Sequence, residues 1–283
     1  MGMLILISGL IPYDAGKTSV TIALAKSLKK RGIEPIALKP VSAHNAWYQH
    51  HTLTYSKRLG ILIGEDVYRY FQEGLIRDID IQNPVDILTA PPDILNFSSL
   101  TQYFWNLETM ISQAVLVRLS FPYRRYFLLE KNLDLIHPKI KDEVMEFLEQ
   151  VNEYTAVSRE WIEKKLAGKE TGSYLFSLVN RLKRENNLLL MESFNDALFP
   201  IISISRLVDL IIIVAPGRGL IYRRAKIMKY LDSSMSLGVR ARSLVELFKP
   251  DSYFIINPVD FDYPEIDEET VQKILRWGSK SSL

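Results

Sequence analysis

Apolar residues in this chain fall into short continuous runs separated by stretches of helical spacing. Residues 3–8 (MLILIS) form an uninterrupted apolar run closed by Gly9, the mark of a strand buried on both faces. Over residues 16–31 the spacing turns helical, with Val20, Ile22, Ala23, Leu24, Ala25 and Leu28 on or near one face. Gly32 follows, where a helix C-terminal glycine would sit. Next comes a second short apolar segment, Pro35-Ile36-Ala37-Leu38-Lys39. Strand, glycine-bearing loop, helix and strand make a βαβ unit, which implies parallel pairing through a right-handed crossover.

The same rhythm returns in the last third. Residues 188–191 (LLLM), 210–215 (LIIIVA) and 253–256 (YFII) predict strands, and residues 219–231 and 270–277 predict helices. At least five strands alternate with helices, so the expected fold is α/β, a mostly parallel sheet flanked by helices. The middle reads differently. Helical stretches are predicted at 98–112, 139–154, 158–167 and 174–184, with a strand pair at 114–120 and 123–130 around Phe121-Pro122. This segment is too long for a simple connection. The expected organisation is a core of residues 1–94 and 187–283, carrying a mainly helical insertion at 95–186 that serves as a lid or as a substrate or partner region.

Composition narrows the chemistry. The 35 Lys and Arg against 33 Asp and Glu leave a net charge of +2, which gives no support for nucleic acid or an anionic membrane as partner. There is no cysteine, so disulfides, thiolate metal sites and thiol nucleophiles are excluded. Four histidines (His44, His50, His51 and His137) argue against a His-rich metal centre. The apolar runs are too short to cross a bilayer, and a cytoplasmic protein is expected.

The main chemical signal is Gly9-Leu10-Ile11-Pro12-Tyr13-Asp14-Ala15-Gly16-Lys17-Thr18, lying directly after a buried strand and directly before a helix. That is the context of a phosphate-binding loop. Amides at a helix N-terminus point outward with the positive end of the macrodipole behind them. Gly16 lets the backbone curl close to a phosphate, Lys17 brings a point charge to the β- and γ-phosphates, and the Thr18 hydroxyl can ligate Mg²⁺. Gly9, Ala15, Gly16, Lys17, Thr18 and Ser19 are therefore the expected nucleotide-binding residues. Six residues separate Gly9 from Gly16, where the usual loop has four, and Ile11 holds the usual first-glycine position.

Beyond this loop the chain resembles the dethiobiotin synthetase and cobyrinic acid synthetase group of P-loop NTPases, across most of its length outside the insertion. Asp14 stands three residues before the loop lysine, where those enzymes carry an acidic residue. Lys39-Pro40-Val41 matches the Lys-Pro-Val that ends their second strand, whose lysine lies near the transferred phosphoryl group and the substrate. Asn83-Pro84-Val85, running on to Pro91-Pro92-Asp93, resembles their substrate-side loop. Asp66 sits where the group has a magnesium-binding aspartate at a helix start, and its own position also suits a helix N-cap or first-turn charge. Glu192, in Met191-Glu192-Ser193-Phe194-Asn195-Asp196, keeps the carboxylate of the group's Glu-Gly-Ala-Gly-Gly but none of the glycines. Asn257, in Ile255-Ile256-Asn257-Pro258, matches the asparagine that reads adenine.

The resemblance implies a Rossmann-like P-loop NTPase fold with ATP and Mg²⁺ as cofactors, GTP being an alternative. Lys17, Lys39 and Asp14 would be catalytic, and Thr18, Asp66 and Glu192 would hold the metal. In that group ATP phosphorylates a carboxylate or carbamate, and an amine then displaces phosphate. A small-molecule acceptor and a homodimer are implied as well. The altered 192–196 stretch and the enlarged middle leave a second expectation open, a nucleotide-operated switch without a small acceptor. Two further stretches keep two readings each. The basic run Arg218, Arg223, Arg224, Lys226 and Lys229 is either a solvated face or places Arg218 against an anionic substrate or partner subunit. Residues 44–52 (HNAWYQHHT) are either a substrate loop or a surface loop.

Overall fold

The computed structural model describes residues 2–12, 14–233, 240–259 and 263–279. Eleven strands occur in chain order among them: β1 (Met3–Gly9), β2 (Ile36–Leu38), β3 (Val41–Asn45), β4 (Val85–Thr89), β5 (Ala114–Ser120), β6 (Arg124–Leu128), β7 (Thr155–Ala156), β8 (Leu188–Glu192), β9 (Leu210–Ala215), β10 (Arg218–Arg223) and β11 (Ser252–Ile255). They form two separate sheets, and the chain divides into two compact units accordingly.

The first unit comprises residues 1–40, 72–77 and 173–283. Its sheet has the order β11-β10-β9-β1-β8-β2. From β2 to β9 every neighbour is parallel, while β10 runs antiparallel to both β9 and β11. Strand β1 is central, and its Leu4, Ile5, Leu6 and Ile7 are fully buried, as a strand covered on both faces requires. Helix α1 (Lys17–Lys29) packs on β1 and β8 through Val20, Ile22, Leu24 and Leu28. The C-terminal helix Glu268–Ser279 packs on β1, β9 and α1.

A buried ion pair anchors the start of β1. Asp209 Oδ2 accepts from the Leu4 amide at 2.8 Å and lies 2.6 Å from Lys183 Nζ, which also donates to the Leu207 carbonyl. Both side chains are about 6% exposed.

The helix predicted at 219–231 begins later. Gly217 adopts φ 82°, a left-handed turn that sends the chain back along β9, so residues 218–223 form β10 and the helix is Arg224–Ser233. The β-branched and aromatic pair Ile221-Tyr222 is buried in this strand, and helical periodicity did not register it.

The second unit comprises residues 41–71 and 78–172. It thus takes in 41–71 and 78–94, which the chain pattern assigned to the core, while 173–186 lie in the first unit. The reason is that β3 and β4 do not join the first sheet. They pair with each other in parallel and β4 pairs antiparallel with β5, giving the order β3-β4-β5-β6-β7. Strands β5 and β6 form the antiparallel pair around Phe121-Pro122. A separate apolar core of Ala46, Leu53, Leu62, Leu88, Leu116, Leu128, Ile140, Val144, Phe147 and Leu148 supports this sheet.

One row across this sheet is polar although buried. Ser42, Asp86, Arg118 and Tyr126 are register neighbours on β3 to β6. Arg118 is fully buried and donates through Nε to the Leu62 carbonyl (3.0 Å) and through Nη2 to Asn83 Oδ1 (2.7 Å). Asp86 Oδ2 accepts from the Gly64 amide at 3.0 Å, and its Oδ1 lies 3.7 Å from His44 Nε2. Burial pushes the His44 pKa below its ordinary 6.5; Asp86 opposes this and Arg118 adds to it.

The unfolded chain therefore binds this proton more readily than the folded one. Stability from His44 is full above pH 6.5 and declines as pH falls toward the lowered folded value. Denaturation midpoints between about pH 7.5 and pH 5 should fall in the native protein and fall less in His44→Gln. Identical pH slopes in the two proteins would contradict this assignment. Among the described residues no helix is long and apolar enough to cross a membrane.

Candidate functional site at the carboxyl edge of the first sheet

Strands β1, β2 and β8 are parallel and adjacent, with β8 in the middle, so their carboxyl ends share one edge. That arrangement brings three distant parts of the sequence together: the 9–18 loop after β1, Lys39 one residue past β2, and Glu192 at the end of β8. In open sheets of this kind, ligands bind at the carboxyl edge.

The loop is tightly folded. The Leu10 amide donates to the Val214 carbonyl at 2.8 Å, extending the ladder to β9 by one bond. The chain then returns over Gly9. A Cβ at Gly9 would lie 3.0 Å from the Ala15 Cβ, the Ile11 carbonyl oxygen and Lys17 Nζ, so any larger residue there would force these neighbours to give by a few tenths of an ångström. Gly16 is in the left-handed region (φ 84°, ψ 16°) and precedes the first turn of α1. No side chain caps that turn, and it contains no acidic residue, so nothing in it offsets the positive end of the helix dipole. Asp14 also has a positive φ, 52°, and is exposed; Ala15 is buried and Ser19 half-buried. Tyr13 lies outside the described residues.

Four side chains converge beneath the loop. Lys17 Nζ donates to the Asn195 carbonyl at 3.0 Å. The Thr18 hydroxyl donates to Glu192 Oε2 at 3.1 Å, and Lys39 Nζ donates to Glu192 Oε1 at 2.9 Å. Glu192 is 1% exposed and Lys39 5%. A buried carboxylate in a low-dielectric setting requires such partners. Lys39 is matched by Glu192 and the loop's own Asp14 offsets Lys17 in formal charge, so the positive end of the helix dipole and the loop amides are what this edge offers a ligand. It suits an anion. The Thr18 hydroxyl and Glu192 carboxylate, already within 3.1 Å of each other, are oxygen donors of the type a hard divalent cation takes, with its remaining positions open to water or phosphate oxygens.

The segment after β8 contributes a residue that sequence reasoning did not single out. Asn195 has φ 47°, the left-handed conformation that glycine adopts most readily and asparagine tolerates. Its carbonyl is the partner of Lys17. The asparagine in a glycine-poor stretch was the available signal. Ser193 fastens the same segment, its amide donating to the Ile7 carbonyl and its hydroxyl to the Ala197 carbonyl.

Other expected site residues lie elsewhere. Asn257 is exposed, two residues beyond β11. Two reversals of direction make β11 parallel to β1, so Asn257 shares the carboxyl edge, but β9 and β10 intervene and separate the strands by about 14 Å. Asp66 belongs to the second unit, in the first turn of the helix Glu65–Gln72. Among the described residues, no group of three or more His, Asp and Glu could hold a metal ion.

Arg218 begins β10, with its guanidinium 5.8 Å from the Tyr253 ring. Residues 44–52 are divided between β3, a turn and the helix His51–Leu59 of the second unit. No protein-family model matches the chain, and a search of curated proteins gives no match.

Proposed function

We propose that the carboxyl edge of the first sheet binds a magnesium nucleoside triphosphate and that the protein is a P-loop enzyme of the dethiobiotin synthetase type. The observation that carries this reading is the convergence of Lys17, Thr18, Lys39 and Glu192 at the N-terminus of α1. The loop amides and Lys17 hold the β- and γ-phosphates. Thr18 and Glu192 hold Mg²⁺, which supplies charge neutralisation of the triphosphate when bound. Lys39 faces the phosphoryl group in transit and stabilises the charge spreading over its oxygens. The acceptor is a small-molecule carboxylate or carbamate; its oxygen takes the γ-phosphoryl group, the nucleoside diphosphate leaves, and an amine then displaces phosphate to form an amide or ureido bond. Asn257 is the candidate contact to the base, with ATP the first choice and GTP the alternative.

Lys39→Met tests the division of labour. Turnover should fall about 100-fold or more, because a well-placed charge is worth roughly 3 kcal/mol in such transition states. Affinity for Mg·ATP, read by calorimetry, should fall by less than turnover does, since Glu192 loses its cation partner but keeps the Thr18 hydroxyl. A collapse of affinity with turnover per bound complex unchanged would remove Lys39 from the chemistry.

A second reading rests on the Lys17 contact to the Asn195 carbonyl. A triphosphate that recruits Lys17 would free the Asn195 carbonyl, a local change at the 193–198 segment of the kind a nucleotide-operated switch uses. Product analysis separates the two. Slow hydrolysis that no acceptor accelerates supports the switch, and acceptor-dependent fast turnover supports the ligase-type enzyme.

A further inference from the structure

The net charge of +2 conceals a division of sign. The first unit carries 22 Lys and Arg against 16 Asp and Glu, and the second 13 against 17. Within the first unit the excess is concentrated at 218–253, where eight Lys and Arg stand against three Asp and Glu. Five of those cations follow one another across a surface. Arg223 and Lys226 share a single carboxylate oxygen, Asp251 Oδ1, at 3.2 Å each. Lys226 Nζ also donates to the Lys249 carbonyl at 2.7 Å, and Lys229 stands one turn further along the helix Arg224–Ser233. Alternation along the chain turns Asp251, Tyr253 and Ile255 to one face of β11. There Tyr253 is 61% exposed, with the Arg218 guanidinium 5.8 Å from its ring. Lys229 and Lys249 are exposed, and among the described residues Asp251 is the one carboxylate paired with any of the five.

We infer that this surface binds single-stranded nucleic acid. A basic run by itself is most often a solvated face. Here the cations outnumber their carboxylate partner and border an open aromatic ring, the two parts that a single strand needs. Phosphates take the cations and release their counterions, and an unpaired base stacks on the ring. A duplex keeps its bases stacked inside and offers Tyr253 no face. The weak total charge does not oppose this, because the acidic excess of the chain belongs to the second unit. The inference does not depend on what the carboxyl edge of the sheet binds.

Fluorescence anisotropy of the full chain with labelled oligo(dT) and oligo(U) of about 12 nucleotides is the test. Both should bind. Five cations less one carboxylate give about four phosphate contacts, so log affinity should fall against log salt with a slope of about −3. Binding should then be about 50-fold weaker at 200 mM salt than at 50 mM. Lys229→Gln with Lys249→Gln should bring the slope to about −1.5. Tyr253→Ala should weaken binding about 10-fold and leave the slope unchanged, the loss of one stacked base. These side chains are exposed, so circular dichroism should show both variants folded. Lys164→Gln, an exposed position of the second unit, should change nothing. No binding at 50 mM salt, or binding that both surface variants leave intact, overturns the inference. A duplex of equal length that binds as tightly and ignores Tyr253→Ala overturns the single-strand assignment. Retention on phosphatidylserine vesicles without oligonucleotide binding gives the surface to lipid instead and overturns it as well.

Discussion

Lys17→Ala is expected to abolish nucleotide turnover and to weaken Mg·ATP and Mg·GTP binding by about 100-fold, with the fold intact. Lys17 Nζ lies against Gly9 and 3.0 Å from the Asn195 carbonyl, beneath the loop that would cradle the phosphates. Losing that ammonium removes a charge-assisted bond of roughly 1.5–3 kcal/mol from the bound triphosphate. It also removes charge stabilisation from the transition state, so turnover should fall further than affinity. Lys17 is half-buried and donates to a carbonyl that water can serve, so the unfolding temperature should move little. Calorimetric titration, a phosphate-release assay and circular dichroism read the three quantities. Hydrolysis at the native rate by a folded Lys17→Ala protein would sink the assignment of the loop.

A comparably large effect is expected on stability rather than activity. Asp209→Ala should destabilise the first unit by about 3 kcal/mol, because it leaves the buried Lys183 ammonium with a carbonyl but without its counter-charge and removes the acceptor of the Leu4 amide. The Leu4 loss falls on β1, the central strand, and the unpaired ammonium on the helix Lys169–Glu185, so both a sheet element and a helix of the first unit are affected. Replacing both partners, Asp209→Leu with Lys183→Met, should recover much of the loss, since an apolar pair of similar volume avoids the desolvation cost of both ions. The Leu4 amide would remain without its acceptor, so recovery should be incomplete. Urea denaturation checks this, with hydrogen exchange at the Leu4 to Ile7 amides assigning the change to the first unit. A single variant as stable as the native protein would show the ion pair to be energetically idle.

Much of the candidate site was legible along the chain, because its parts are local. A buried apolar run, a glycine before Lys-Thr and a helical period announce the β1, loop and α1 sequence. Lys39 and Glu192 were legible as charged residues closing apolar strands, a placement that core packing alone does not favour. Their meeting was not. It depends on β8 lying between β1 and β2, a pairing between segments about 150 residues apart, which no local pattern encodes. Asn195 was missed for a related reason: it acts through its backbone carbonyl, and a carbonyl is common to every residue type.

The domain boundary shows the same division. Val41–Asn45 and Val85–Thr89 form β3 and β4, strands that the chain pattern did not single out: it made residues 44–52 a loop and residues 83–93 part of a substrate-side loop. Nor could it foresee that the chain reverses at Gly217 to lay β10 against β9. By itself, the sequence determined the type of most elements and where the glycine-bearing loop falls, since periodicity, glycine conformation and helix polarity act over a few residues. Only the tertiary structure decided which strands pair, where one unit yields to the next and which charges meet. Those outcomes are set by hydrogen bonds and burial between residues far apart in the chain.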